Sequence, residues 1–218
     1  MSFQWSALCS ALPELCRGAL VTVELTLISL VLGTLLGAVL GVVRAFGPRP
    51  LGIAVQIYIG LIRGTPMVVQ IMFVYFALPA LLGLRLSAIT SGVLALVVNS
   101  SAYLAEIVRG GLLSVPRGLK EAGLAMGLPL YRVVLDIVGP VAFRRMIPAL
   151  GNQWIIGLKD TSLLIVIGVA ELTRTGQEIM AENYRAVEIW TAVALIYLAM
   201  ISVMTLGIML LEKRMRMS

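Results

Sequence analysis

Long apolar runs separated by short polar or basic turns dominate the chain. Residues 2–17 set Phe3, Trp5, Leu8, Leu12 and Leu15 among polar positions, which predicts a short interfacial helix with Trp5 at headgroup level. The run 19–43 is long enough to cross a hydrocarbon layer of about 30 Å and forms the first span. Gly33, Gly37 and Gly41 recur in it every fourth residue, a small-residue stripe that favours close helix packing within the chain or between chains. A basic turn at 43–50 follows. The apolar run 51–84 is too long for one straight span and is interrupted by Arg63-Gly-Thr-Pro66. Residues 51–64 are therefore expected as a helix near the cytoplasmic surface or a bent helix start, and 65–82 as the second span. The third span is expected at 88–108, with Asn99, Tyr103 and Glu106 on one helical face. A polar and basic stretch, 114–150, comes next. The fourth span is expected at 152–172, with Gln153, Gly157 and Asp160 on one face, then a polar outer loop at 173–188 and a fifth span at 189–211. The reading is an all-α integral membrane chain with five transmembrane helices: an N-terminal segment 1–17, a membrane domain 18–212 and a basic tail 213–218.

Composition agrees. Hydrophobic residues make up 60% of the chain and charged residues 13%, with a mean hydropathy of +1.01, outside the range of soluble domains. Charge placement sets the orientation. With the C-terminus cytoplasmic, thirteen of the 17 Lys and Arg fall inside, Arg63 and Lys159 among them, leaving Arg17, Arg85, Arg174 and Arg185 outside. Five spans then put the N-terminus outside. The basic excess is accounted for by this topology rather than by nucleic acid. No histidine is present, which removes His-based zinc sites, Ser–His catalysis and H-E-x-x-H proteases. Cys9 and Cys16 stand seven residues apart, too far along a helix for a disulfide, and read as free thiols. The first apolar run is too long for a signal core and lacks a basic cluster before it.

The polar stretch carries the most specific pattern. Glu121, Ala122, Ala125 and Met126 sit at helical spacing among small residues, and Gly127 supplies a helix stop. Taken alone this describes an ordinary amphipathic connector between two spans. The order Glu121-Ala122-Gly123, Gly127, Pro140, Pro148 resembles the cytoplasmic EAA loop of ABC-transporter permeases. Three further pieces extend the likeness over nearly the whole chain: Arg63-Gly-Thr-Pro-Met-Val-Val-Gln70, Asn99-Ser-Ser-Ala-Tyr-Leu-Ala-Glu-Ile-Val-Arg-Gly110 and Leu150-Gly-Asn-Gln-Trp154 with Leu158-Lys-Asp-Thr-Ser162. Each is weak by itself; four in order are strong. Together they resemble the permease subunits of polar amino-acid ABC importers, the glutamine type most closely. Gly123, where the family usually has alanine, and Gly139 before Pro140 depart from the pattern and imply a more flexible coupling segment.

That resemblance implies a type I ABC-importer (MetI-like) permease fold and import by alternating access, with L-glutamine as the expected substrate and glutamate or another polar amino acid next. It implies a bacterial inner-membrane location, a second permease copy, two cytoplasmic ATPase subunits and a periplasmic or extracellular amino-acid-binding protein, which the charged loop 173–188 would help to dock. It makes Glu121, Ala122, Gly123, Gly127 and Arg144 the ATPase-coupling set. No G-x-x-x-x-G-K-[ST] occurs, so no cofactor is expected in this chain and ATP and Mg belong to the partner. Polar groups inside spans are costly unless they face a cavity or a partner, so Asn99, Tyr103, Gln153, Gly157, Asp160 and Thr161 are the candidate substrate path. Glu106 is equally read as the partner of Arg109, one turn away. The neutral side chain of Gln153 suits a neutral amide substrate; a carboxylate there would suit a cationic one. An ion-coupled secondary carrier is the rival reading. It calls for internal repeats with matched broken helices, and the sequence holds a single break, at Gly64–Pro66.

Overall fold

The computed structural model describes residues 4–216, without the side chain of Arg216; Phe3 of the predicted N-terminal segment and Met217 and Ser218 of the tail lie outside the described residues. Every element among the described residues is helical: α1 (Trp5–Phe46), α2 (Arg49–Arg63), α3 (Met67–Leu82), α4 (Ala88–Leu113), α5 (Arg117–Ala125), α6 (130–160), a 3-10 segment (Thr161–Ile167), α7 (Leu172–Asn183) and α8 (Ala186–Arg216).

α1 is one continuous helix of 42 residues, about 63 Å at 1.5 Å per residue, twice the thickness of a hydrocarbon core. The boundary expected near residue 17 is therefore absent. The first turns of α1 are held by packing: Ala11 and Leu15 are buried against Leu172, Ile179, Ile189 and Val193 of α7 and α8. Further along, the glycine stripe seats α1 on α4. A Cβ on Gly37 would lie 2.6 Å from the Cβ of Leu104, and one on Gly41 would lie 2.6 Å from the Cβ of Val108. The stripe thus packs within the chain.

α2 and α3 are bent by 104° across Gly64–Pro66. Two π-helical turns, Phe73–Ala77 in α3 and Val133–Val138 in α6, directly precede Pro79 and Pro140. A proline ring pushes the carbonyl four residues before it off the helix ladder, and the wider turn accommodates that displacement. Gly139 has the same cause: a Cβ there would stand 2.8 Å from the carbonyl oxygen of Val134.

Three further expectations are corrected. The fourth apolar stretch is not a helix over 152–172: α6 starts at residue 130, runs through Pro140 and Pro148 to Asp160, and gives way to the 3-10 segment. Residues 173–188 are not a loop. α7 fills most of them, because the Glu171 carboxylate caps it, accepting from the backbone N–H groups of Thr173 and Arg174 at 2.9 and 2.8 Å. The tail from 213 continues α8 rather than leaving it.

Packing is layered along α4. Nearest the α5 end, Leu104, Leu112, Val133, Ala142 and Leu150 form one core; further along, Leu25, Ile71, Ala95, Leu96 and Leu164 form a second. The outward faces are apolar and bare. Leu27, Val31, Leu35 and Val39 on α1 and Leu195, Leu198, Val203 and Leu206 on α8 are exposed, as lipid-facing surfaces are.

Candidate coupling surface and translocation path

α5 projects beyond the inner core. It begins after Pro116, whose fixed backbone suits a helix start, and it ends at Gly127, with φ +80°. The N–H of Leu128 bonds the carbonyl of Gly123 at 3.2 Å and that of Gly127 the carbonyl of Leu124 at 2.9 Å, closing the helix end in the left-handed manner that glycine permits. Gly123 is the buried residue of α5: a Cβ on it would come within 2.8 Å of Ile137 Cδ1 and 3.0 Å of Val133 Cγ2. The glycine expected to loosen the segment instead lets it sit flat on the π-helical turn of α6.

Glu121, Ala122 and Gly127 are exposed, as are Leu119, Leu124, Met126, Leu130, Tyr131 and Leu135. This end of the molecule thus carries an apolar surface on a basic background, suited to burial against a protein. A cleft of about 490 Å³ runs beside it, lined by Phe46, Leu112, Pro116, Lys120, Glu121 and Leu124. Lys120 lies over the Phe46 ring at 5.4 Å, tying α5 to the end of α1. Arg144 is exposed on α6, while Arg145 donates to the carbonyl of Ser114, just before α5.

The polar residues within the bundle divide into groups. Asn99 is 7% exposed and donates to Gln70 Oε1 at 3.0 Å; Gln70 Nε2 donates in turn to the carbonyls of Ile62 and Thr65 at 2.7 and 3.0 Å and to Thr65 Oγ1 at 2.9 Å. The two amides thus satisfy the backbone that the break in α2–α3 leaves open. Gln70 closes the Arg63–Gln70 motif, and the sequence signal for this role is an amide four residues after a Gly-Thr-Pro break.

Tyr103, half-buried, carries the guanidinium of Arg63 over its ring, 5.2 Å from the centroid. Arg63 was expected near the cytoplasmic surface. The bend folds it back onto α4, about six residues, or about 9 Å, deeper than Arg109. Lys159 also leaves the expected inner set, since its neighbour Gly157 packs on Leu30 and Leu164 packs on Gly92, near the other end of α4.

Glu106 and Arg109 form the ion pair that their spacing suggested, at 2.8 Å. Glu106, Ile107 and Gly110 of α4 face Arg145, Met146 and Ala149 of α6 across a groove of about 390 Å³. Gln153 stands one turn beyond Ala149, buried to 6% exposure, and makes no side-chain hydrogen bond to another described residue. Asp160 is half-buried. Gly157 serves close contact with Leu30 Cδ2 at 3.1 Å, and Thr161 is fully buried, its hydroxyl bonding the carbonyl of Leu158 at 2.7 Å. Of the expected residues, the groove is lined by Glu106; Tyr103 and Gln153 stand one turn beyond its lining on the same two helices, and Asn99, Gly157 and Thr161 are engaged in bracing and packing.

Residues 11–217 match the family described as the inner membrane component of binding-protein-dependent transport systems. The chain belongs to this family. It is 49% identical over 217 residues to the glutamine transport system permease protein of Escherichia coli K12, covering 99% of both chains. It is 33% identical over 205 residues to the arginine transport system permease protein of Bacillus subtilis, covering 94% of each. A crystal structure of an amino acid ABC transporter with histidines superimposes with a TM-score of 0.90 at 33% identity, covering 98% of this chain and 100% of that one. The methionine ABC transporter in an inward-facing conformation gives 0.81 at 20% identity, covering 94% and 97%, a likeness of fold. The chain is thus an ABC-transporter permease of the amino-acid class, all-helical and with the MetI-like fold.

Proposed function

We propose that the chain is the membrane-spanning subunit of an ATP-driven, binding-protein-dependent importer of L-glutamine. The observation that carries this reading is the full-length, 49% match to a glutamine permease; a neutral Gln153 beside the groove agrees with an amide substrate. Five spans cross the membrane: α1, the bent pair α2–α3, α4, α6 with its 3-10 continuation, and α8. Of the thirteen basic residues expected inside, eleven remain once Arg63 and Lys159, exposed but set along the spans rather than at their inner ends, are left out, against four outside, so the bias still sets the C-terminus in the cytoplasm and the N-terminus outside.

The exposed apolar flank of α5, with Glu121, Ala122 and Gly127, held on α6 through Gly123, and Arg144 on neighbouring α6, docks a separate ATPase subunit. A second copy of the permease completes the path, which each copy lines with Tyr103, Gln153 and Asp160; the bracing residues Asn99, Gly157 and Thr161 hold its wall. A binding protein delivers substrate at α7, whose outer face carries the Arg174–Glu178 pair. Closure of two ATPases on ATP moves α5, and α5 moves α6 and α4 through the Gly123 contact and the Arg145–Ser114 bond, opening the groove to alternate sides.

The test is uptake of labelled glutamine into proteoliposomes containing permease, ATPase and binding protein. Uptake that needs internal ATP and is competed best by glutamine supports the reading; uptake driven by an ion gradient without ATP overturns it. Gln153→Glu is expected to shift preference toward arginine and lysine, and unchanged selectivity would remove that residue from the specificity assignment.

A further inference from the structure

Arg63 differs from the two other arginines nearest it, Arg109 and Arg44, in what its guanidinium meets. Glu106 accepts three hydrogen bonds from Arg109, at 2.8, 3.0 and 3.2 Å, so its carboxylate is occupied. Arg44 donates to Gln56 Oε1 at 2.8 Å. Arg63 forms no ion pair with a described residue; what it has is the face of Tyr103. Arg63 is exposed at the break in the α2–α3 pair, and a cation at such a break without a counter-ion persists where it faces a watery path and where an anion visits.

The position is built rather than incidental. Gly64 and Pro66 break the helix just after Arg63, and Gln70, braced by Asn99, ties the carbonyls of Ile62 and Thr65 on either side of it. The backbone carrying Arg63 is therefore fixed, and the Tyr103 ring supports the guanidinium plane. A planar fork on an aromatic face, with its donors unused, matches a carboxylate in two-pronged geometry.

We propose that Arg63, resting on Tyr103, receives the α-carboxylate of the amino acid as it passes through the membrane. The proposal rests on the function proposed above and names the residue that reads the part of the substrate common to every amino acid, leaving the side chain to other positions.

The experiment uses the complete importer in proteoliposomes and reads labelled glutamine moved per ATP hydrolysed, at saturating binding protein. Arg63→Gln is expected to lower that ratio about ten-fold or more, the scale of a lost charge-assisted bond. Arg63→Lys, which keeps the charge without the fork, is expected to lower it a few-fold. A structural role would lower transport and hydrolysis together and leave the ratio intact, so a ratio for Arg63→Gln within two-fold of the unmodified importer overturns the proposal. If Arg63→Gln fails to assemble, Arg63→Lys carries the test, and an unchanged ratio there overturns it equally. ATP-independent uptake by the unmodified importer would instead remove the function proposed above, so the two failures are distinguishable.

Discussion

Replacing Gly37 by alanine adds one methyl group at the closest approach of α1 and α4. That carbon would stand 2.6 Å from Leu104 Cβ, 3.0 Å from the Ser101 carbonyl oxygen and 3.2 Å from the Ala105 nitrogen. Comfortable carbon–carbon contact is about 3.8 Å, so the helices must part by about 1 Å there. Two of the three obstacles are backbone atoms and the third is a Cβ, so no rotamer change relieves the clash. Overpacking of this kind costs about 1–3 kcal/mol. Gly207 of α8 provides the opposite case: a Cβ there meets nothing within 4 Å, and alanine gains up to about 1 kcal/mol of helix propensity. Thermal unfolding of the purified permease in detergent is expected to show Gly37→Ala clearly below, and Gly207→Ala at or above, the unmodified chain. Gly41→Ala, one turn on, meets Val108 Cβ at 2.6 Å and the Ala105 carbonyl oxygen at 2.7 Å. Once the helices have parted for one methyl, the second meets less resistance, so the double variant is expected to lose less than the sum of the single losses. A neutral Gly37→Ala, or strict additivity with Gly41→Ala, would refute the reasoning.

Other consequences follow from the same contacts. Asn99→Leu and Gln70→Leu each free a buried amide partner and are expected to destabilise by about 1–2 kcal/mol; a double-mutant cycle by urea or thermal unfolding should return a coupling of about 0.5–1.5 kcal/mol, and zero coupling would separate the two residues. Gly127→Ala forces φ +80° on a residue with a Cβ; it is expected to reduce ATP-driven uptake and ATPase retention on affinity purification, and full retention of both would detach α5 from coupling. Glu171→Ala removes the cap of α7 and the acceptor of the Tyr197 hydroxyl at 2.8 Å; a loss of about 1–3 kcal/mol in thermal unfolding is expected, and Tyr197→Phe should show part of it.

The class of the protein was legible in the sequence because membrane spans announce themselves by length and hydropathy, which require no knowledge of neighbours. The helix stop at Gly127 and the Glu106–Arg109 pair were legible for a similar reason: each depends on residues within one or two turns. What sequence misjudged lay where distant segments decide the outcome. Residues 173–188 look like a polar loop until a buried Glu171, held by the Tyr197 hydroxyl and the Thr22-to-Leu172 contact, caps them as a helix. The N-terminal segment looks interfacial until Ala11 and Leu15 find α7 and α8. Asn99 looks like a free amide until Gln70 takes it to mend the broken helix. Arg63 counts as a cytoplasmic charge until a bend of 104° carries it onto Tyr103. The sequence by itself determined that helices would cross the membrane, because apolar side chains cannot remain in water. Only the tertiary structure decided which polar groups within those helices were consumed by one another and which were left without a partner among the described residues, because that depends on which donors and acceptors the fold brings within reach.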